Sequence, residues 1–240
     1  MAKNVALIIA GGVGSRMGSE IPKQFINVND KPVIIYTLEQ FQKHVMIDHI
    51  VVVCLDGWES ILSAYCKQYK ITKLDAIVRN GSTGMESLQN GINYVYDKFP
   101  DSTIVIHDGV RPMVDEELIS DVIIKSHENH YGNAASTTPI NEQIFTLDEN
   151  NLDSNIAYNY IPRESLVKMV TPQAYRTKNI YELFSKAFEN NEGIGPGTYA
   201  NTLVVHYGQN ISCSAGSEIN VKLTTKENLD MFKMYLKMKD

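Results

Sequence analysis

The sequence predicts an α/β fold: a mostly parallel sheet flanked by helices, with one projecting β-hairpin arm. Three observations predict it. Short apolar, β-branched runs alternate with segments of helical spacing along most of the chain, the pattern of strands joined by crossover helices. The first of these runs ends in a glycine-rich turn. The alternation then breaks between Ile140 and Pro162, where two short extended runs enclose a polar stretch.

Val5–Ile9 is the first buried strand. Pro32 opens a helix over Val33–Gln42, with apolar residues at 33, 34, 35, 38 and 41. His49–Leu55 reads as a strand, Trp58–Tyr69 as a helix and Ala76–Val78 as a short strand. Ser82–Tyr96 is helical, with Met85, Leu88, Ile92 and Val95 on one face. Ser102–Ile106 is the next strand. Asp115–His127 is a helix with acids in its first turn, where the helix dipole favours them, and Ala134–Thr138 is a further strand. Gln143–Leu147 and Ala157–Ile161 form the arm, about residues 140–162. Such an arm buries little of itself, so it is expected to find its core in a second copy and make a homodimer; a flap over the protomer's own site is the alternative. Beyond it, Thr177–Phe188 and Thr198–Tyr207 read as helices, Ile211–Ser214 and Ile219–Leu223 as strands, and Thr225–Lys237 as a last amphipathic helix capped by Thr225. Without repeats, low-complexity stretches or a linker, residues 1–240 read as one domain plus the arm.

An apolar content of 43% is enough for a sizeable core. The net charge of -6 leaves no global basic field, so no nucleic-acid partner is expected and an anionic ligand must be held by a local cluster of cations. Cys54, Cys66 and Cys213 are widely spaced and odd in number, which argues against a disulfide framework or a zinc site and fits a reducing compartment. The N-terminal apolar run is too short for a signal peptide, and no stretch approaches the roughly 18 residues of a membrane span. The expectation is a cytoplasmic protein with no membrane partner.

The chemistry is concentrated in the first turn. Gly11, Gly12, Gly14, Ser15, Arg16 and Met17 follow the first strand, and Pro22-Lys23-Gln24 comes just beyond. Glycines let backbone N–H groups approach a polyphosphate, and Arg16 and Lys23 would neutralise it. Counting from Gly12, a dinucleotide-binding turn would need glycine where Met17 stands, and the Gly-Lys-Ser/Thr of a P-loop is absent. A plain strand-to-helix turn explains the glycines but not the two cations.

This turn looks like the signature loop of nucleotide-sugar-type nucleotidyltransferases. Further segments line up with it in order: Asn80–Leu88, Ile106–Pro112, Ile161–Leu166 with Thr171-Pro172-Gln173, and Glu218–Thr225. From Ala6 to about Asp230 the chain resembles the cytidylyltransferases of the 2-C-methyl-D-erythritol 4-phosphate and ribitol 5-phosphate type. The resemblance implies a Rossmann-like nucleotidyltransferase fold and an enzyme that joins CTP to a small polyol phosphate, giving a CDP-polyol and pyrophosphate. It implies that Ala10, Gly11, Gly12, Gly14 and Ser15 wrap the triphosphate and that Arg16 and Lys23 contact it. It places Gly81, Ser82 and Ser87 at the cytosine and ribose, and Asp108 beside the ribose and phosphates, helping to place Mg²⁺. Arg163 and Lys222 are implied to grip the acceptor's phosphate and the α-phosphate under attack, with Thr198 also on the acceptor. Bland readings stand beside some of these residues. Ser82 also reads as a helix cap, Arg111 as a structural ion-pair partner and His107 as a packed residue rather than a catalyst.

An acceptor phosphomonoester is mostly dianionic near neutral pH, its second pKa being about 6, so it needs no general base. Catalysis then consists of holding two polyanions together, with fixed cations where charge grows. The chain departs from the family's usual pattern at three places: Gly84 replaces an arginine, Tyr199 an acidic residue, and Glu142-Gln143 an Asp-Thr pair. Ile161-Pro162 and Phe25 look more like the ribitol branch. Ribitol 5-phosphate, for wall or capsule polymers, is therefore the favoured acceptor. The methylerythritol phosphate step of isoprenoid synthesis is the alternative, and a non-catalytic nucleotide-binding paralogue is the alternative of another class. A dinucleotide-dependent oxidoreductase is disfavoured by Met17 and by the lack of an acidic residue ending the second strand.

Overall fold

The structure, a computed structural model, describes residues 2–12, 21–148, 153 and 155–239. Along the chain run β1 (Asn4–Ala10), the short strands β2 (Asn27–Val28) and β3 (Lys31–Pro32), α1 (Val33–Lys43), β4 (His49–Cys54), α2 (Glu59–Gln68), β5 (Leu74–Arg79), α3 (Gly84–Lys98), β6 (Thr103–Asp108) and α4 (Glu116–Glu128). Then come β7 (Asn133–Pro139), β8 (Ile144–Leu147), β9 (Ala157–Ile161), β10 (Val167–Arg176), α5 (Thr177–Asn190), α6 (Ala200–His206), β11 (Ser212–Ser214) and α7 (Lys226–Lys239). Seven strands form one sheet in the order β11-β7-β10-β6-β1-β4-β5. The pairs of β1 with β4 and β6, of β4 with β5, and of β7 with β11 are parallel; β10 runs antiparallel to both its neighbours.

β1 shows why the strands read as apolar runs. Val5 and Leu7 enter the core on one face and Ala6 and Ile8 the core on the other, all four fully buried. A strand covered on both faces needs an apolar side chain at every position, and each large one contributes about 1.5–3 kcal/mol. The carboxyl ends of β1, β4 and β6 all open on the same edge of the sheet, where ligands of such folds bind.

Three local expectations change. β10 is a strand that the sequence pattern does not predict, and Pro172 sits inside it. The chain accommodates that proline where the register against β7 shifts, between Met169 and Gln173, so no ladder bond is lost there. Ile219–Leu223, expected as a strand, joins no sheet. Its groups instead bond across the carboxyl edge: Leu223 N–H donates to the Val110 carbonyl at 2.9 Å, and Asn220 Nδ2 to the Thr171 carbonyl at 2.8 Å. At α3 the cap is Thr83, whose hydroxyl accepts from Glu86 N–H at 3.1 Å, and Ser82 lies one residue outside. The arm is an antiparallel β8–β9 hairpin, as expected. No helix of the described residues is long and apolar enough to cross a membrane.

Candidate active site

At the end of β1 the turn is fixed by a buried amide. Gln24 Nε2 donates to the carbonyls of Ala10 (2.7 Å) and Gly12 (3.1 Å). This ties Ala10 and Gly12 to the 3-10 turn Lys23–Phe25 and brings Lys23 to the same cleft. Gly11 is needed for close approach, since a Cβ there would lie 2.6 Å from Asn80 Cβ. Gly14, Ser15 and Arg16 lie outside the described residues.

The facing wall is the start of α3. The Glu86 carboxylate accepts from Ser82 N–H at 2.7 Å and from the Ser82 hydroxyl, and those bonds hold its carboxyl below the usual range. Ser87 Oγ accepts from Gly81 N–H at 3.0 Å and donates to the Thr83 carbonyl at 2.8 Å. A Cβ at Gly81 would come within 2.3 Å of Glu86 Cβ. Between the two walls lies a cleft of about 330 Å³ that also reaches Asp108 and Lys222.

Asp108 ends β6. Its Oδ1 accepts from Lys222 Nζ and its Oδ2 from Arg111 Nε, both at 2.8 Å. Burial would push this carboxyl up, but the two cations outweigh it and hold it down to about 2, so it stays ionised. The cations differ. Arg111 is well covered and also donates to the Asn220 carbonyl at 2.7 Å, which makes it a brace for the 218–223 segment. Lys222 is 41% exposed, so its ammonium can turn to a phosphate while Arg111 keeps Asp108 paired. His107 is fully buried beside Phe41 with Nε2 3.1 Å from the Arg111 carbonyl, and burial lowers its pKa to about 4; it is a packed neutral group.

A second cleft, about 550 Å³, opens on the other side of Asp108. Ile9, Gly84, Asp108 and Lys222 wall both clefts, so the two meet at the one carboxylate and its lysine. Thr198 lines the second cleft, its hydroxyl bonded to the Gly195 carbonyl at 2.6 Å, and Tyr199 and Thr171 line it too. Gly84 faces open space: nothing lies within 4 Å of where its Cβ would be.

Arg163 is not brought to Lys222. It sits beside the arm, exposed, with Nη1 on the Asn141 carbonyl at 2.9 Å, and it lines neither of the two clefts. Gln24 and Gln173 are visible in sequence only as parts of the Pro-Lys-Gln and Thr-Pro-Gln strings, and nothing in the sequence marks Asn201 as a cleft residue. Among the described residues no group of three or more metal-ligating side chains occurs. Asp108 nevertheless fits Mg²⁺, an ion commonly held by one or two carboxylates together with substrate phosphates.

A family model described as 2-C-methyl-D-erythritol 4-phosphate cytidylyltransferase matches residues 4–238. The ribitol-5-phosphate cytidylyltransferase of Lacticaseibacillus paracasei is 44% identical over 236 residues, 98% of each chain. The 2-C-methyl-D-erythritol 4-phosphate cytidylyltransferase of Clostridium novyi is 33% identical over 232 residues, covering 96% of this chain and 95% of that one. In fold, the crystal structure of 4-diphosphocytidyl-2C-methyl-D-erythritol synthase from Anaerococcus prevotii superposes with a TM-score of 0.81 at 23% identity, over 98% of this chain and 99% of that one.

Proposed function

Because the chain belongs to this cytidylyltransferase family, and so is an enzyme that joins CTP to a polyol phosphate, we propose that its acceptor is ribitol 5-phosphate and its products CDP-ribitol and pyrophosphate. The ribitol choice is supported by the 44% relative and by Ile161-Pro162 and Phe25. The observation that carries the mechanism is the meeting of two clefts at Asp108 and Lys222.

CTP occupies the smaller cleft, with its triphosphate at Ala10, Gly11 and Gly12, continuing along Gly14 and Ser15. Arg16 and Lys23 neutralise it, and the base and ribose lie against Gly81, Ser82 and Ser87. The polyol phosphate enters the larger cleft past Thr198. Lys222 leaves Asp108 for the phosphates and offsets their repulsion as the acceptor oxygen attacks the α-phosphorus in line and pyrophosphate departs. When bound, Mg²⁺ supplies further neutralisation of the triphosphate, with Asp108 to hold it. No side chain need take a proton, because the attacking phosphate is already anionic.

The arm is the dimer element of one catalytic domain. Phe145, Ile156, Tyr158 and Tyr160 are exposed on it, Tyr160 by 70%, and a second copy covers them. Since Arg163 lies outside its own clefts, the arm delivers it to the partner's acceptor phosphate. Mixing Arg163→Ala with Lys222→Ala, each inactive alone, should recover part of the activity through mixed dimers, and no recovery would place Arg163 in its own site or outside the site altogether. The acceptor itself is tested by pyrophosphate release from CTP and Mg²⁺ with a panel of C4 and C5 polyol phosphates. Ribitol 5-phosphate should give the highest kcat/KM, and CTP binding without release on any acceptor would leave a nucleotide-binding paralogue.

A further inference from the structure

Two amides that line the acceptor cleft and a buried phenol behind them share one proton too few. Tyr175 on β10 is fully buried. Its hydroxyl lies 2.9 Å from Gln173 Oε1 and within hydrogen-bond distance of Asn201 Oδ1. A phenol has a single proton, and two carbonyl oxygens cannot both accept it. Gln173 is the fixed partner. Its Nε2 faces the Val170 carbonyl at 3.4 Å, which keeps Oε1 toward the phenol. Asn201 satisfies the remaining lone pair of the phenol only by turning its carboxamide over, so that Nδ2 donates to Tyr175 and Oδ1 takes the other position. Among the described residues no bond engages that other amide position, and it is not one of the buried unpartnered atoms. Asn201 and Gln173 line the second cleft together with Thr198 and Lys222.

We infer that Asn201 is a specificity-determining residue for the acceptor: held from behind by Tyr175, its carboxamide oxygen accepts a hydrogen bond from a hydroxyl of the acceptor's carbon chain. The inference rests on the proposed use of this cleft for a polyol phosphate and adds to it the atom that reads the polyol. The reach is short because the side chain is only 7% exposed and is fixed on the first turn of α6. A short, oriented acceptor of this kind discriminates between a hydroxyl and its absence far better than an apolar wall does.

The test is a cycle between protein and substrate. Wild type and Asn201→Leu are assayed for pyrophosphate release with ribitol 5-phosphate and with its single-deoxy analogues. In wild type one deoxy position should raise the acceptor KM by about tenfold, the loss of one hydrogen bond. In Asn201→Leu the parent should fall to the level of that analogue, the two becoming equal, while the KM for CTP stays within about twofold. Tyr175→Phe should blunt the same discrimination, by freeing the amide to rotate. The inference is overturned if no deoxy position raises KM in wild type, or if Asn201→Leu keeps the preference or shifts both KM values together. Should Asn201→Leu not fold, as judged by its melting transition, the wild-type deoxy series and Tyr175→Phe decide. Failure of wild type to release pyrophosphate with any polyol phosphate would instead remove the reading of the cleft itself.

Discussion

The two clefts that meet at Asp108 are built from different material. The side proposed for the nucleotide is main chain and closed bonds: Gly11 and Gly81 stand where a Cβ would clash, Gln24 grips two carbonyls, and the hydroxyls of Ser82, Thr83 and Ser87 are engaged within the loop. The side proposed for the acceptor is walled by side chains such as Tyr199 and by the Asn201 amide, whose bonding is left incomplete. A fixed backbone surface suits a ligand common to every member of the family. Side chains with spare capacity suit a ligand that changes between members, because a single substitution alters the contact without disturbing the fold.

The largest effect should come from the lysine that both clefts share. Lys222→Ala is expected to lower kcat by about 10²–10³-fold, the scale for removing one preorganised group that meets developing charge. The melting temperature should fall far less than kcat, since Asp108 keeps its bond to Arg111 when the lysine is gone. Comparable losses of kcat and stability would make Lys222 structural. Next comes Gly81→Ala, whose methyl would fall 2.3 Å from Glu86 Cβ and 2.8 Å from its backbone carbon. Overpacking of this kind costs about 1–3 kcal/mol, and the start of α3 must shift. The KM for CTP should rise while the acceptor KM holds. A matching rise for the acceptor would break the division between the clefts.

The strands β1, β4 and β6 and the helices α1 to α4 were legible because burial imposes a repeat on the sequence: every position in a doubly covered strand, every third or fourth in a helix. Thr225 was legible as a cap for the same local reason, and Asn228 N–H does donate to its hydroxyl at 3.3 Å. β10 was missed and the 219–223 segment misread because their bonding is set by distant partners. A proline inside β10 argues against a strand until the register shift opposite β7 is known, and the alternating stretch 219–223 looks like a strand until the Arg111 and Thr171 groups that bond it are in place. The string of candidate site residues comes from the resemblance alone. What was not legible is which of them share a cavity: Asp108 and Lys222 converge, Arg163 does not, and the Gln173–Tyr175–Asn201 arrangement depends on β10 meeting α6.

Gly84 stands at the junction of the clefts with no atom within 4 Å of a Cβ, so Gly84→Arg fits without steric cost. Two effects on stability oppose each other. Replacing a helical glycine gains about 0.5–1 kcal/mol, and a cation in a helix's first turn loses about 0.3–1 kcal/mol, so the melting temperature should change little. The added charge faces the nucleotide side, and the KM for CTP should fall severalfold with the acceptor KM less affected. An unchanged KM for CTP, or a rise, would show that the side chain turns away from the triphosphate.

The smallest effect separates the clefts from the scaffold beneath them. His44 follows α1, buried, with Nε2 3.2 Å from the Glu116 carbonyl and 3.0 Å from Ser120 Oγ, and Nδ1 accepting from Met46 N–H at 3.2 Å. An Nδ1 that accepts must be unprotonated, so the geometry fits the neutral ring. Burial lowers its pKa; the carbonyl and charge of Glu116 pull the other way, and Lys73 adds to the lowering. The unfolded chain therefore takes up this proton near pH 6.5 while the folded one does not. Its contribution is whole above pH 6.5 and declines as the pH falls below that, because the unfolded state then binds more protons. Urea midpoints at pH 7.5 and 5.5 should differ less in His44→Gln than in wild type. Discrimination between acceptors should be the same in both proteins at either pH, because the imidazole touches neither cleft. Equal pH slopes in the two proteins would move the proton linkage elsewhere, and an altered acceptor preference would mean that the scaffold is not independent of the surface it carries.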